Sequence, residues 1–321
     1  SASDIDGDAD IDIVAALPNA NSVVMYSNTN LTFTKTTLST DLLEPFDIHS
    51  IDIDQDNDAD ILVASFDDNK LTLFNNNGNG EFNSVSQITT TANGPTAVQA
   101  ADLDQDNDLD IIGVSFNDNR LHWYQNDAGN FTEQSPISTD VTGASDVICV
   151  DLNNDTLTDL ISTASGGNKL LKHINNNDGT FSTSVIDTDL NSPFALTAAD
   201  LDNDSDLDLI VALFDEIAWY QNTNGSFGDK VTISTVSGGT AVIAQDFDGD
   251  GYIDIASASD LDHTLAWYRN TGNRTFHPKV TISSSATSIK SLLAIDLDQD
   301  GFVDLVSGTA GDHKISYYLN Q

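Results

Sequence analysis

Four aspartates within nine residues recur along the chain with one spacing, Asp-x-Asp-x-Asp-x-x-x-Asp followed at once by Ile or Leu. The pattern begins at Asp4, Asp52, Asp102, Asp151, Asp200, Asp246 and Asp296. Carboxylates this close repel one another strongly unless a cation lies between them. Only oxygen donors are offered, which selects a hard ion. A flexible set of six to eight oxygens suits Ca²⁺ better than Mg²⁺. The expected side-chain ligands are positions 1, 3, 5 and 9 of each loop. In order these are Asp4, Asp6, Asp8 and Asp12; Asp52, Asp54, Asp56 and Asp60; Asp102, Asp104, Asp106 and Asp110; Asp151, Asn153, Asp155 and Asp159. The last three sets are Asp200, Asp202, Asp204 and Asp208; Asp246, Asp248, Asp250 and Asp254; Asp296, Asp298, Asp300 and Asp304. Position 7 is expected to give its backbone carbonyl, which leaves its identity free: Asp10, Asp58, Asp108, Leu157, Asp206, Tyr252 and Phe302.

Position 6 supports a tight ligand loop. It is Gly251 or Gly301 in two copies and Asn57 or Asn107 in two others, residues that accept left-handed backbone. An EF-hand does not fit, because its twelfth position is Glu and here that place holds Ala15 or Ser257. The fourth loop is expected to be the weakest. Asn153 replaces an aspartate there, and β-branched Thr156 stands at position 6.

The loops start 48, 50, 49, 49, 46 and 50 residues apart. A period of that size means a propeller or a solenoid. Within the third repeat, Thr96 to Ala101 reads as an inner strand leading into the loop, Ile111 to Phe116 as a second strand, Leu121 to Tyr124 as a third and Phe131 to Ile137 as a fourth. Four short strands repeated radially describe an all-β, seven-bladed β-propeller with four-stranded blades and a calcium loop between the first and second strands. A blade is covered on both faces, which explains why apolar residues do not alternate cleanly with polar ones. The ends break the pattern: only Ser1-Ala2-Ser3 precede the first loop, and no fourth strand follows Asn320. The expectation is one domain over residues 1–321, belonging to a longer protein with further domains.

The acidic loop, the later Trp-Tyr-x-Asn (Trp123-Tyr124-Gln125-Asn126) and the Asn-x-x-Gly-x-Phe turn closely resemble FG-GAP/VCBS repeats, the family that includes the integrin α-subunit propeller. The resemblance covers nearly the whole chain. It implies the propeller fold and calcium, while family members range over adhesion, sugar binding, polysaccharide cleavage and spacer roles, so it does not choose a function.

Composition narrows the partners. Net charge is −40, and 27 of the 51 acidic residues are the loop carboxylates. Seven bound divalent ions would bring the charge from −40 to about −26, still repelling nucleic acid and anionic membranes. The 11 Lys and Arg form no cluster, and no apolar run is long enough to insert in a membrane. The single cysteine, Cys149, excludes an internal disulfide framework. It aligns with Ser50, Ala100, Ala198, Ala244 and Ala294, so it reads as a small packing residue. Weak calcium sites fill in the millimolar calcium outside cells, which places the chain as secreted or cell-surface.

Three further groups are candidates for function. Trp123-Tyr124, Trp219-Tyr220 and Trp267-Tyr268 occupy one repeat position and suit sugar stacking, but read better as blade core. Lys172-His173 replaces that pair in the fourth repeat, the one with the weakest loop, marking it as decaying or specialised. The hairpins Asp68-Asn69-Lys70, Asp118-Asn119-Arg120, Asn168-Lys169, Asp262-His263 and Asp312-His313-Lys314 should ring the face opposite the calcium loops, edged by Phe66, Phe116 and Phe214. Asp-Asn is also ordinary turn chemistry. The six histidines occupy different repeat positions without a catalytic pattern. The sequence therefore favours a calcium-stabilised binding or adhesion propeller for a glycan or protein. A polysaccharide-degrading lyase domain and a rigid spacer are the alternatives.

Overall fold

Each acidic loop needs two left-handed residues to turn the chain within nine positions. In the computed structural model, which describes residues 1–321, position 4 is Gly7, Gln55, Gln105, Asn154, Asn203, Gly249 or Gln299, with φ from 58° to 76°. Position 6 is Ala9, Asn57, Asn107, Thr156, Ser205, Gly251 or Gly301, with φ from 72° to 94°. Asn and Gly hold this conformation at little cost, whereas an L-residue with a full Cβ loses about 1–2 kcal/mol there. Thr156, at φ 72°, is the most hindered of the seven.

The loops join the first and second strands of each blade. Blade 2 shows the plan: Pro45–Ile51, Asp60–Ser65, Lys70–Asn75 and Ser84–Thr89 form one antiparallel sheet in sequence order. Its register pairs Ser50 with Ile61, Ile61 with Phe74, and Phe74 with Val85. The fold is a seven-bladed β-propeller, with six four-stranded sheets and a three-stranded one formed by Ile289–Ile295, Asp304–Thr309 and Lys314–Tyr318. The inner strand of blade 1 is the two-residue Ala2–Ser3, paired with Asp12 and Ile13. The only helical piece is a 3₁₀ turn, Pro18–Ala20, so no helix is long and apolar enough to cross a membrane.

In blade 3 the strands are Pro95–Ala101, Asp110–Ser115, Arg120–Asp127 and Asn130–Glu133. The fourth ends earlier than its apolar pattern suggests. Pro136 has no N–H to continue a ladder, and beyond Glu133 the segment keeps only scattered bonds, such as Ile137 N–H to the Leu121 carbonyl at 2.9 Å.

By contacts the chain divides into two units. Ser1–Cys149, Leu157–Ser162 and Lys172–Ser184 make one, with blades 1 to 3; Val150–Thr156, Thr163–Leu171 and Val185–Gln321 make the other, with blades 5 to 7. In the first, Val14, Val23 and Met25 of blade 1 pack on Ile61, Val63 and Phe74 of blade 2, and Leu71 and Leu73 of blade 2 on Ile111 and Tyr124 of blade 3. In the second, Ile210, Ile217 and Trp219 of blade 5 meet Val242, Ile255 and Tyr268 of blade 6. Second strands such as Asp60–Ser65 and Asp254–Ser259 are buried at every residue, as expected for strands covered on both faces. Fourth strands such as Ser84–Thr89 are largely exposed.

Candidate metal centres and ligand face

The first aspartate of each loop organises the turn through backbone N–H groups. Asp4 accepts from Gly7 (2.8 Å) and Ala9 (3.0 Å), and Asp246 from Gly249 and Gly251 (both 2.8 Å). Position 5 repeats this on a smaller scale, taking the N–H of position 7: Asp56 from Asp58 (3.0 Å), Asp250 from Tyr252 (2.9 Å) and Asp300 from Phe302 (2.9 Å). Each such bond places the position 7 peptide within the loop while leaving its carbonyl free of that role. Carboxylate oxygens of Asp4, Asp6 and Asp8 lie within 4.8 Å of one another, as do those of Asp52, Asp54 and Asp60, Asp102, Asp104 and Asp106, Asp200, Asp202 and Asp204, and Asp246, Asp248 and Asp250. The clusters could hold a metal ion. Two position 3 oxygens, Oδ1 of Asp6 and of Asp202, are buried without a hydrogen-bond partner and so are free to meet a cation, although the other oxygen of Asp202 already meets Arg274. The all-oxygen donor set fits Ca²⁺.

Position 9 differs from the rest. Asp12, Asp60, Asp110, Asp159, Asp208, Asp254 and Asp304 are fully buried at the start of the second strand. Oδ1 of each accepts the backbone N–H of an asparagine at the end of the third strand, Asn28, Asn76, Asn126, Asn175, Asn222, Asn270 or Asn320, at 2.7 or 2.8 Å. Desolvation pushes Asp60, Asp110 and Asp254 up to about 6 and Asp208 up to about 7, against the backbone N–H bonds that favour the anion. A buried carboxylate with a raised pKa is primed to exchange its proton for a metal.

The asparagines form a second repeated device. In the second unit, Asn222 donates to Leu152 O (2.9 Å) of the preceding acidic loop and to Leu207 O (3.0 Å) of its own, while its Oδ1 accepts Gly225 N–H (2.8 Å). Asn270 spans the loops of blades 5 and 6 in the same way, through Leu201 O (2.8 Å) and Ile253 O (3.0 Å). In the first unit Asn76 does so through Ile5 O and Ala59 O. Adjacent loops are therefore stitched together by one amide. The sequence carried the signal: this asparagine follows position 9 by 16 residues in six blades and by 14 in the fifth.

Two of the tryptophans are core, and the third, partly buried, serves a loop. Trp123 and Trp219 are 5% and 3% exposed. Trp267 Nε1 donates to Asp254 Oδ2 at 3.0 Å, so the indole steadies a position 9 carboxylate. In blades 3, 5 and 6 the residue immediately before the asparagine hub straps position 3. Gln125 Nε2 donates to Asp104 Oδ2 (2.5 Å) and Gln221 Nε2 to Asp202 Oδ2 (2.7 Å). In blade 6 that place is Arg269, which ion-pairs with Asp248 and with Asp250 Oδ2 (2.9 Å). The Tyr252 N–H and then Arg269 hold the Asp250 carboxyl below its ordinary range.

The fourth loop is altered as its sequence suggests. Asn153 turns its amide toward Asp155 Oδ2 at 2.9 Å, a donor where the other loops present a carboxylate. His173, in place of the usual aromatic, is fully buried between Ser162 Oγ and Thr183 Oγ1, each at 2.9 Å, and desolvation pushes it down to about 3. In blade 4 a neutral imidazole thus spends both nitrogens on hydroxyls. Cys149 is half-buried, with its thiol pushed up to about 12 by desolvation, which suits packing and not reactivity.

The hairpin series keeps to turn duties. Asn69, Asn119, Asn168, His263 and His313 are all left-handed, with φ from 54° to 61°. The asparagine side chains cap the next connection: Asn69 Oδ1 accepts Gly94 N–H and Asn119 Oδ1 accepts Gly143 N–H, both at 2.9 Å. The aromatics beside them remain open. Phe66 lies 6.2 Å from Phe46 and 6.3 Å from Phe116, ring centre to ring centre, a row across neighbouring blades of the first unit. Phe46 and Phe116 are each 41% exposed. Gly94 permits the row, since a Cβ there would lie 3.0 Å from Phe66 and 2.4 Å from the Asn117 amide. Phe214, exposed as well, belongs to the second unit. His122 comes nearest to a catalytic grouping, with Glu133 at 3.2 Å and Asp118 at 3.5 Å, but at 2% exposed it is closed to substrate.

A repeated blade with an aspartate loop between its first two strands defines an acidic-loop class of propeller. The chain belongs to the family of FG-GAP-like repeats, whose profile matches residues 4–63, 52–113, 106–162, 151–211, 208–257 and 246–307. Among curated proteins, none matches this sequence. Solved structures share the fold. A lectin of Agrocybe aegerita that recognises non-reducing terminal N-acetylglucosamine is 20% identical over 89% of this chain and 80% of its own, with a TM-score of 0.65. BBS1N, solved in complex with ARL6DN, is 12% identical over 100% and 91%, with a TM-score of 0.70. An inactive virginiamycin B lyase of Staphylococcus aureus, solved with quinupristin, is 16% identical over 99% and 94%, with a TM-score of 0.68.

Proposed function

We propose that this protein is a calcium-stabilised, extracellular binding or adhesion module whose ligand, a glycan or a protein, is met on the hairpin side of its blades. The observation that carries the reading is the row Phe46, Phe66 and Phe116, in which two exposed rings flank a half-buried one: such an aromatic patch is what a protein surface otherwise avoids and what sugar rings and protein side chains stack on. The acidic loops take calcium through positions 1, 3, 5 and 9 and the position 7 carbonyl, and they serve shape. Their carboxylates are spent on N–H groups and the ion, so the ligand is sought elsewhere. The lectin of like fold is in keeping with a glycan. The calcium in turn is in keeping with an extracellular setting.

Glycan-array binding with and without chelator tests the proposal, using the native chain and the double variant Phe66→Ala, Phe116→Ala. Binding that vanishes in chelator and in the double variant is expected. Binding that survives the double variant moves the site off the row. Binding to no glycan in either condition removes the glycan form and leaves a protein ligand. An unchanged melting temperature in chelator would refute structural calcium.

A further inference from the structure

Two loops carry their own cation. Arg269 grips Asp248 and Asp250 of the sixth loop, positions 3 and 5 of the ligand set. Arg274, from the turn that follows, reaches the neighbouring fifth loop and pairs with Asp202 at 3.0 Å, where Gln221 also donates. Arg274 does so from an unfavourable backbone. Its φ is 60°, and the matching places in blades 2 and 4 are Gly80 and Gly179, at 66° and 78°. Blade 1 holds Leu31 at the matching place, with φ 61°, so a side chain is accepted there, and in blade 6 that side chain brings the charge that meets Asp202. Asp202 is nearly inaccessible, at 1% side-chain exposure, while Arg274 covers it from the solvent side and is itself 56% exposed. The other blades offer no charge at the Arg269 position: Ser27, Asn75, Gln125, Ile174, Gln221 and Leu319 are all uncharged.

We infer that Arg269 and Arg274 act as resident counter-ions that keep the fifth and sixth loops folded without metal, at the cost of weaker metal binding in the sixth. The inference rests on the calcium reading above. A guanidinium on two ligating carboxylates cancels part of the repulsion that calcium would otherwise relieve. The same positive charge repels the incoming ion. A unit charge about 5 Å from a divalent ion in a water-like dielectric weakens binding roughly tenfold. Chelation should therefore open the loops unevenly, the first and second before the fifth and sixth.

Hydrogen exchange read by mass spectrometry on the whole chain, in calcium and in chelator, tests this. In calcium the loops are all expected to be protected. In chelator the peptides covering residues 4–12 and 52–60 should exchange freely, while those covering 200–208 and 246–254 keep most of their protection. Arg269→Gln places in blade 6 the residue that blades 3 and 5 already carry, and Arg274→Gly restores the glycine of blades 2 and 4, so both variants retain the fold. Each should remove the chelator resistance of its loop, and Arg269→Gln should raise calcium affinity at one site about tenfold by calorimetry. Equal opening of all loops in chelator, with calcium still binding by calorimetry, would overturn the counter-ion inference alone. Absence of calcium binding at any loop would overturn the calcium reading beneath it.

Discussion

Replacing Asn222 with alanine isolates the stitch between loops from the metal itself. The side chain is fully buried and makes three bonds: two donated, to Leu152 O and Leu207 O, and one accepted from Gly225 N–H. The backbone N–H bond to Asp208 remains, so the ligand carboxylate keeps its principal partner. Each severed bond removes a partner from a buried or part-buried backbone group, which costs about 1–3 kcal/mol. Taking the low end, the variant should lose about 3 kcal/mol. An unfolding entropy of about 2.1 cal/mol/K per residue, taken over 321 residues, converts this to a melting temperature roughly 4–5 °C lower. The assay is calorimetric melting in saturating calcium, beside Asn79→Ala, whose only side-chain bond is an exposed 3.5 Å contact with Asn77 O. A shift for Asn222→Ala as small as that of Asn79→Ala would refute the hub. A loss that calcium concentration abolishes would show instead that the asparagine acts only through the ion.

Three other outcomes are expected. Thr156→Gly should stabilise the protein by about 1 kcal/mol, because a β-branched residue is held at φ 72°; an unchanged or lower melting temperature would count against strain at this site. Asp254→Ala should cost more than Asp159→Ala in calcium, because the Asp159 loop already presents the Asn153 amide, and equal losses would show the fourth loop to be as competent as the sixth. In chelator, stability should fall as pH rises from about 4 to 7. Asp60, Asp110 and Asp254 keep their protons to about 6 and Asp208 to about 7 when folded, whereas unfolded aspartates lose theirs near 4, so the folded state binds more protons across that window. Calcium should reverse the slope by displacing those protons, and a metal-free melting temperature that rises from pH 5 to 7 would contradict it.

What the sequence disclosed followed from periodicity. Seven loops at a near-constant interval gave the blade count, and the identity of position 6 anticipated the left-handed turn, including the awkward Thr156. The apolar second strands were equally plain. Boundaries were less so, as in blade 3, where a proline ended a strand that its apolar residues continued. Side-chain partnership was the least legible part. Trp267 looked like filler until its Nε1 was found on Asp254, because apolar burial and a single donated hydrogen bond leave the same mark on composition. The aromatic row was half visible: Phe66 and Phe116 were evident beside their turns, but Phe46 comes from the inner strand and joins them only in space.

The repeats show which tasks tolerate substitution. The hub asparagine is present in all seven blades because its place demands a donor and an acceptor on one short side chain, and only an amide supplies both; aspartate would set a negative oxygen against two carbonyls. The place beside it is held to no such demand, and it varies through serine, asparagine, glutamine, isoleucine, leucine and arginine. A position without a fixed partner is free to drift, and drift there changes the charge on an acidic loop without disturbing the blade. Seven copies of one unit thus carry unequal loops: the sixth gains a guanidinium from the strap, the fourth an amide at position 3 of the loop itself, and the frame that holds them stays the same.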